Sequence, residues 1–408
     1  MFQFRGMFGQ PLLAAASVVA MIAGVASAQA AGKEKILHSF TGFSVGQDGS
    51  LPYGGVVRDD AGNLYGTTFN GGANDLGTVF KIAPNGTETI LHSFANGGDD
   101  GVNPQAGVIL DKQGNIYGTT RNGSAHNGGV LFMLTPEGTE TVLHIFAGGG
   151  DNNRDGGRPQ ADLIMDDAGN IYGTTNYGGG KGDCNGNNCG TVFKFTKGGA
   201  MKILHAFTGG KDGGYPNAPV IIDELGNLYG TTETGGNTAL CGSGCGVVFK
   251  LDPSGKETVL HAFSGTDGRL PLAGLVRDAK GNFYGTTDGG GTADAGVVFK
   301  LTPKGKESVL HNFNLDAEHG GVNPLGSLIM DAKGDLYGTT ASGGLTNNGV
   351  VYKMTQKGKE TVLYHFAGGD DGANPFAGVV MDAQGTLYGT TNRGGGTTTD
   401  GTVFRLKN

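Results

Sequence analysis

The chain has 408 residues, of which 81 are glycine and none tryptophan, with 16% charged residues and a formal net charge of −8. So much glycine suits an all-β chain with many tight turns and poorly suits a helical one. The acidic balance offers no electrostatic footprint for nucleic acid or an anionic membrane surface, so neither is an expected partner.

In chain order, residues 1–28 read as a secretory signal peptide. Arg5 supplies the positive start, Pro11 to Val25 a small-residue apolar run, and Ala26-Ser27-Ala28 a small-x-small cleavage site. No later run is long and apolar enough to span a bilayer as a helix. The mature chain is expected to be soluble and monomeric, and to be secreted, periplasmic or held at the cell surface.

Beyond that point the chain is one tandem repeat. Tyr-Gly-Thr-Thr begins at Tyr65, Tyr117, Tyr172, Tyr229, Tyr284, Tyr337 and Tyr388, with spacings of 52, 55, 57, 55, 53 and 51 residues. That period matches a four-stranded propeller blade. The mature chain opens on a β-rich run, Ile36-Leu37-His38-Ser39-Phe40. Each repeat then supplies a run that follows a proline (residues 106–111 in one case) and a second run after a glycine turn (115–120). A variable glycine-rich loop leads to a third run (77–82), and a Pro-x-Gly-x-Glu turn to a fourth (90–94). Alternation puts Ile90, His92 and Phe94 on one face of that fourth run.

The final repeat ends after its third run, residues 401–406, so each run type totals seven and the orphan run at the start can complete the last blade. The predicted fold is therefore all-β. It is a seven-bladed β-propeller of four-stranded blades, closed by an N-terminal outer strand, forming a single domain over residues 29–408. The short turns fall on one face and the variable loops on the other, which makes the loop face the expected binding surface. Two loops in consecutive repeats carry Cys184/Cys189 and Cys241/Cys245. In an exported chain each pair is expected to form an intraloop disulfide, and no histidine stands at zinc-ligand spacing in either loop.

The run Gly-Asn-Leu-Tyr-Gly-Thr-Thr at residues 62–68, the Gly-Thr-Val-Phe-Lys at 77–81 and the Leu-His-Ser-Phe at 91–94 together resemble the GloVer tandem repeat. That is the repeat of Gloeobacter and Verrucomicrobia proteins. The inner hairpin resembles that of NHL-type propellers. The resemblance spans residues 33–408 and implies an exported propeller, in a family where many members carry a surface anchor; no anchoring segment stands before Asn408 here. It implies no catalytic residues.

Six fourth runs carry histidine at one position, His38, His92, His144, His205, His261 and His311, with Tyr364 in the seventh. Such residues lie around the ring and cannot converge on one metal, so they read as hydrogen-bonded framework. Function is expected where one repeat differs from the others. Asp151-Asn152-Asn153-Arg154-Asp155-Gly156, followed by Asp162 at the twelfth position, fits a calcium loop with Asp151, Asn153, Asp155 and Asp162 as oxygen donors. The same residues also read as a plain Asp-Gly turn, and the sequence requires no cofactor.

The residue after each inner-run proline runs Tyr53, Gln105, Gln160, Asn217, Leu272, Leu325 and Phe376, polar on one arc and apolar on the other, as at a ligand mouth. Tyr177 and Tyr215 add stacking surfaces nearby. The off-pattern His126 and His319 have no evident partner, and no catalytic residue is nominated. The leading expectation is a non-enzymatic module binding an extracellular glycan or protein. A metal-assisted lactonase, lyase or glycan hydrolase and a structural envelope component are the alternatives. Three or more carboxylates or histidines at the channel mouth would favour the enzyme.

Overall fold

The computed structural model describes residues 33–42, 47–148, 155–182, 184, 186–237, 239, 241–314, 320–396 and 398–407. It consists of seven four-stranded antiparallel sheets, each one blade. The first blade runs outward through Val57–Arg58, Leu64–Thr68, Thr78–Ile82 and Glu88–Ser93. The seventh is built from both ends of the chain. Val380–Met381, Thr386–Thr391 and Thr402–Lys407 are joined by Lys33–Ser39, with Lys33 opposite Lys407 and Ser39 opposite Thr402. No propeller blade is left with an open third strand.

The repeated motifs account for themselves locally. The aspartate that ends each inner strand accepts a hydrogen bond from the tyrosine of the same blade, as at Asp59/Tyr65 (3.1 Å), Asp223/Tyr229 (2.9 Å) and Asp382/Tyr388 (3.1 Å). The same carboxylate receives the backbone N–H of the residue four positions on, Asn63 in the first blade (2.7 Å), and so ties the inner hairpin. The first threonine of several Tyr-Gly-Thr-Thr motifs reaches across to the next inner strand, from Thr67 to the Ala106 carbonyl (2.6 Å) and from Thr390 to the Gly54 carbonyl (3.0 Å). This explains why the inner ladder is shorter than expected. Of residues 106–111 only Ile109 and Leu110 pair with the second strand, because carbonyls nearer the axis bond the neighbouring blade.

Between blades, the phenylalanine that follows each outer strand meets the aromatic ring of the next blade's third strand. Examples are Phe40 on Phe80 (5.1 Å), Phe207 on Phe249 (5.2 Å) and Phe366 on Phe404 (5.1 Å). Edge-to-face rings of this kind add to the burial that holds blades together. One sequence expectation fails here. Each outer strand carries a β-bulge, placed in the first blade between Ile90 and His92, so the two-residue alternation is broken at Leu91. Ile90 packs with Phe40 and Phe80 against the preceding blade, whereas Leu91 and Phe94 pack with Phe132 against the following one. The bulge lets one short strand grip both neighbours.

On the loop face, the segment entering each blade pairs with the segment leaving its second strand. This pairing makes small ribbons such as Gly101–Val102 with Asn122–Gly123, or single bridges such as Gly214 with Thr234. The Asp-Gly steps belong to this layer. A Cβ on Gly101 would lie 1.9 Å from the Thr120 hydroxyl, so only glycine fits.

Candidate functional site

The seven residues that follow the inner-strand prolines come together as one ring. Tyr53, Gln105, Gln160, Asn217, Leu272, Leu325 and Phe376 line a cavity of about 350 Å³ at the axis on the loop face. The Tyr53 and Phe376 rings lie nearly parallel, 5.6 Å apart at 7°, and Phe69 meets Tyr53 edge-on at 5.4 Å. Leu272 and Leu325 extend this apolar arc. Opposite them, Gln105 and Gln160 make no hydrogen bond among the described residues, which leaves two amides to face the cavity. Asn217 is different. It accepts from Asn176 Nδ2 and donates to Glu233 Oε2, both at 2.5 Å, so its amide is already engaged. Burial raises the Glu233 pKa, Asn217 opposes the shift, and Asp288 adds to it.

Below the ring a channel of about 270 Å³ runs between the inner strands. Where the other blades have Gly55, Gly107, Pro219, Gly274, Ser327 and Gly378 in sequence, the third blade presents Asp162 to the channel. Its Oδ1 accepts the Gly107 N–H at 2.6 Å, and burial pushes its pKa up while that N–H pulls it back. Among the described residues Asp162 is the one carboxylate lining this channel, and no histidine lines it.

The four residues read as calcium ligands are only partly placed. Asp155 is held by outer-strand groups, with Oδ2 3.0 Å from His144 Nε2 and Oδ1 accepting the Ala147 N–H at 3.1 Å. Asp162 faces the axis. The structure thus keeps these two carboxylates in separate places, and Asp151 and Asn153 lie outside the described residues, as do His319 and the signal-peptide segment.

Tyr177 and Tyr215 do not line the cavity but stand outside it as an edge-to-face pair, 5.8 Å apart. The Tyr215 hydroxyl donates to the Cys184 carbonyl at 2.7 Å. Cys184 is bonded to Cys189 and Cys241 to Cys245. The first disulfide therefore does more than hold its own loop, because it also seats Tyr215 on the next blade. Two disulfides suit an oxidising compartment outside the cytoplasm.

Sequence reasoning missed two arginines next to this pair. Arg121 follows the second strand of the second blade, and Arg158 precedes Pro159 of the third. The Arg158 guanidinium lies over the Tyr177 ring at 4.9 Å. Arg121 is half-buried and its pKa is lowered by burial and by Arg158, with Tyr177 and Tyr53 opposing the shift. Both stand out in the sequence at the positions before the proline and after Thr-Thr, just as the mouth residues stand out at the position after the proline. Arg58 and Arg277, in contrast, serve the short-turn face. Arg277 pairs with Glu224 of the preceding blade at 3.1 Å, and Arg58 lies over Tyr388 at 5.8 Å.

The recurring histidines lie at blade boundaries. His38 Nε2 stands 3.1 Å from Asp48 and 3.6 Å from Glu88, and His261 3.0 Å from Asp267. Where both partners are present, the aspartate comes from an Asp-Gly step and the glutamate from the next outer strand. Three of these sets, His38/Asp48/Glu88, His92/Asp100/Glu140 and His261/Asp267/Glu307, bring their donor atoms within 4.8 Å of one another. Tyr364 takes the histidine's part at the seventh boundary and donates to Asp371.

These features define a closed seven-bladed propeller with a non-repeating mouth on its loop face. The Gloeobacter/Verrucomicrobia repeat matches residues 24–243 and 239–408, and the chain belongs to that family. No curated protein matches it in sequence. Among solved structures it is similar to virginiamycin B lyase from Staphylococcus aureus, with a TM-score of 0.57 and 13% identity over 92% of this chain and 99% of that one. A streptogramin B lyase gives 0.55 and 11% over 92% and 97%. The extracellular domain of a one-component system from B. thetaiotaomicron gives 0.55 and 11% over 90% and 40%. At such identities the likeness shows the fold alone. No helix among the described residues is long and apolar enough to cross a membrane.

Proposed function

We propose that the chain is an exported binding propeller that takes an extracellular ligand at the axial mouth of its loop face. The observation that carries this reading is the convergence of the seven non-repeating residues on one cavity. Parallel rings of Tyr53 and Phe376 stand there against the amides of Gln105 and Gln160. Flat apolar surface opposite a few hydrogen-bonding groups is what a glycan or a peptide loop needs from a shallow site. The solved lyases similar to this chain share its fold, and among the described residues the channel lining holds one carboxylate, Asp162, and no histidine, which supports binding over turnover here.

The test is a glycan array and metabolite screen on residues 29–408, repeated with Tyr53→Ala and Phe376→Ala. A ligand held by the wild type should weaken roughly tenfold or more in both variants, with unchanged melting. Conversion of that ligand to a product, or equal binding by both variants, would overturn the reading.

A further inference from the structure

Two arginines of this protein are matched by carboxylates: Arg269 makes two bonds to Asp294, at 2.7 and 2.8 Å, and Arg277 holds Glu224. Arg121 and Arg158 are not. Among the described residues no carboxylate lies within ion-pairing distance of either, although the chain as a whole carries a net charge of −8. The buried Nε of Arg121 has no hydrogen-bond partner among the described residues. Two like charges set close together without a counterion, one of them with an unmatched buried donor, are costly unless a ligand supplies the anion.

The repeat geometry points the same way. At the position of Arg158, Asn103, Asn323 and Asn374 donate to Phe69, Asp288 and Ala341 of the preceding blade at 3.0, 3.0 and 2.8 Å, and Arg121 holds the corresponding position before Arg158, so the two arginines meet at one blade junction. Arg158 covers the Tyr177 ring and stands two residues before Gln160, while Arg121 belongs to the blade of Gln105. The cationic pair therefore adjoins the mouth at its amide arc.

We propose that Arg121 and Arg158 form an oxyanion subsite at the rim of the mouth, which takes the carboxylate or sulfate of an acidic saccharide. The sugar ring lies against the Tyr53 and Tyr177 side. Planar guanidinium groups match either oxyanion through paired N–H donors, and apolar ring faces match the C–H face of a sugar. This inference rests on the binding function proposed for the mouth and names its ligand class.

Calorimetry on residues 29–408 tests it with four probes of equal length: a tetramer of galacturonate, its methyl ester, a sulfated tetrasaccharide and a neutral tetramer of galactose. The wild type should bind the uronate or the sulfated probe, more tightly at low salt, and roughly tenfold or more better than the ester and the neutral tetramer. Arg121→Gln and Arg158→Gln should each erase that preference while melting as the wild type does. Preference for the uronate identifies a carboxylate ligand, and preference for the sulfated probe a sulfate. Two results would overturn the subsite: equal affinity for acid and ester, which needs no variant, or acidic binding unmoved by either arginine change. If such binding still responds to Tyr53→Ala, the mouth stands and only the subsite falls. If no probe binds in any form, the saccharide class is wrong.

Discussion

The residue before each inner-strand proline has positive φ in every blade, from 54 to 57°: Leu51, Asn103, Arg158, Tyr215, Leu270, Asn323 and Asn374. The three asparagines use the position. Asn103 Nδ2 donates to the Phe69 carbonyl at 3.0 Å, Asn374 Nδ2 to the Ala341 carbonyl at 2.8 Å, and Asn323 Nδ2 to Asp288 Oδ1 at 3.0 Å. Leu270 has no such group and bears the conformational cost alone. Leu270→Asn should therefore raise stability by about 1 kcal/mol, from relief of strain and one added hydrogen bond to the preceding blade. Denaturant unfolding checks it, and a loss of stability would show that Leu270 is held by packing instead. The ring at the mouth was legible because it needs only counting from each proline. The φ values were not, since a leucine or tyrosine before proline carries no sign of left-handed backbone. The ties of Asn217 to Asn176 and Glu233 also stayed hidden, because they depend on how the blades meet.

At the scale of the strand, the outer β-bulge lets one short element serve two interfaces, and histidine–carboxylate sets lie at several of the same boundaries. Burial raises the pKa of Glu257 and of Glu307 from 4.5 to about 7, with Asp212 and Asp267 adding to the shift and His205 and His261 opposing it. A carboxyl whose pKa is raised on folding contributes fully below its unfolded value, and that contribution is lost as pH rises through the folded one. Melting temperature should thus decline between about pH 5 and pH 8. Glu257→Gln with Glu307→Gln should flatten the decline, and parallel curves for variant and wild type would refute it. The sequence showed these histidines as framework, correctly for their place between blades. It did not show the bulge, which leaves no mark in an Ile-Leu-His-Ser-Phe run, and so it could not show that Ile90 faces away from Phe94.

For the whole molecule, closure rests on one pairing, Lys33–Ser39 against Thr402–Lys407, together with Phe40 on Phe80. Removing residues 33–40 should strip both the edge and that ring contact, lower the melting temperature sharply and leave an exposed strand that recruits other chains. Thermal melts and size-exclusion chromatography would reveal it, whereas a slight shift with an unchanged elution volume would mean the ring does not depend on its seam. The seven-fold architecture was readable because strand types could be counted without knowing any contact.

The same seam has a consequence in time. Synthesis makes Lys33–Ser39 first and its partner strand last, so the first strand produced is among the last to find its place. During that wait its edge is open to the matching strand of any other copy nearby. Crowded or stalled synthesis should then favour exchanged pairs of rings, two molecules each finishing the other's seventh blade.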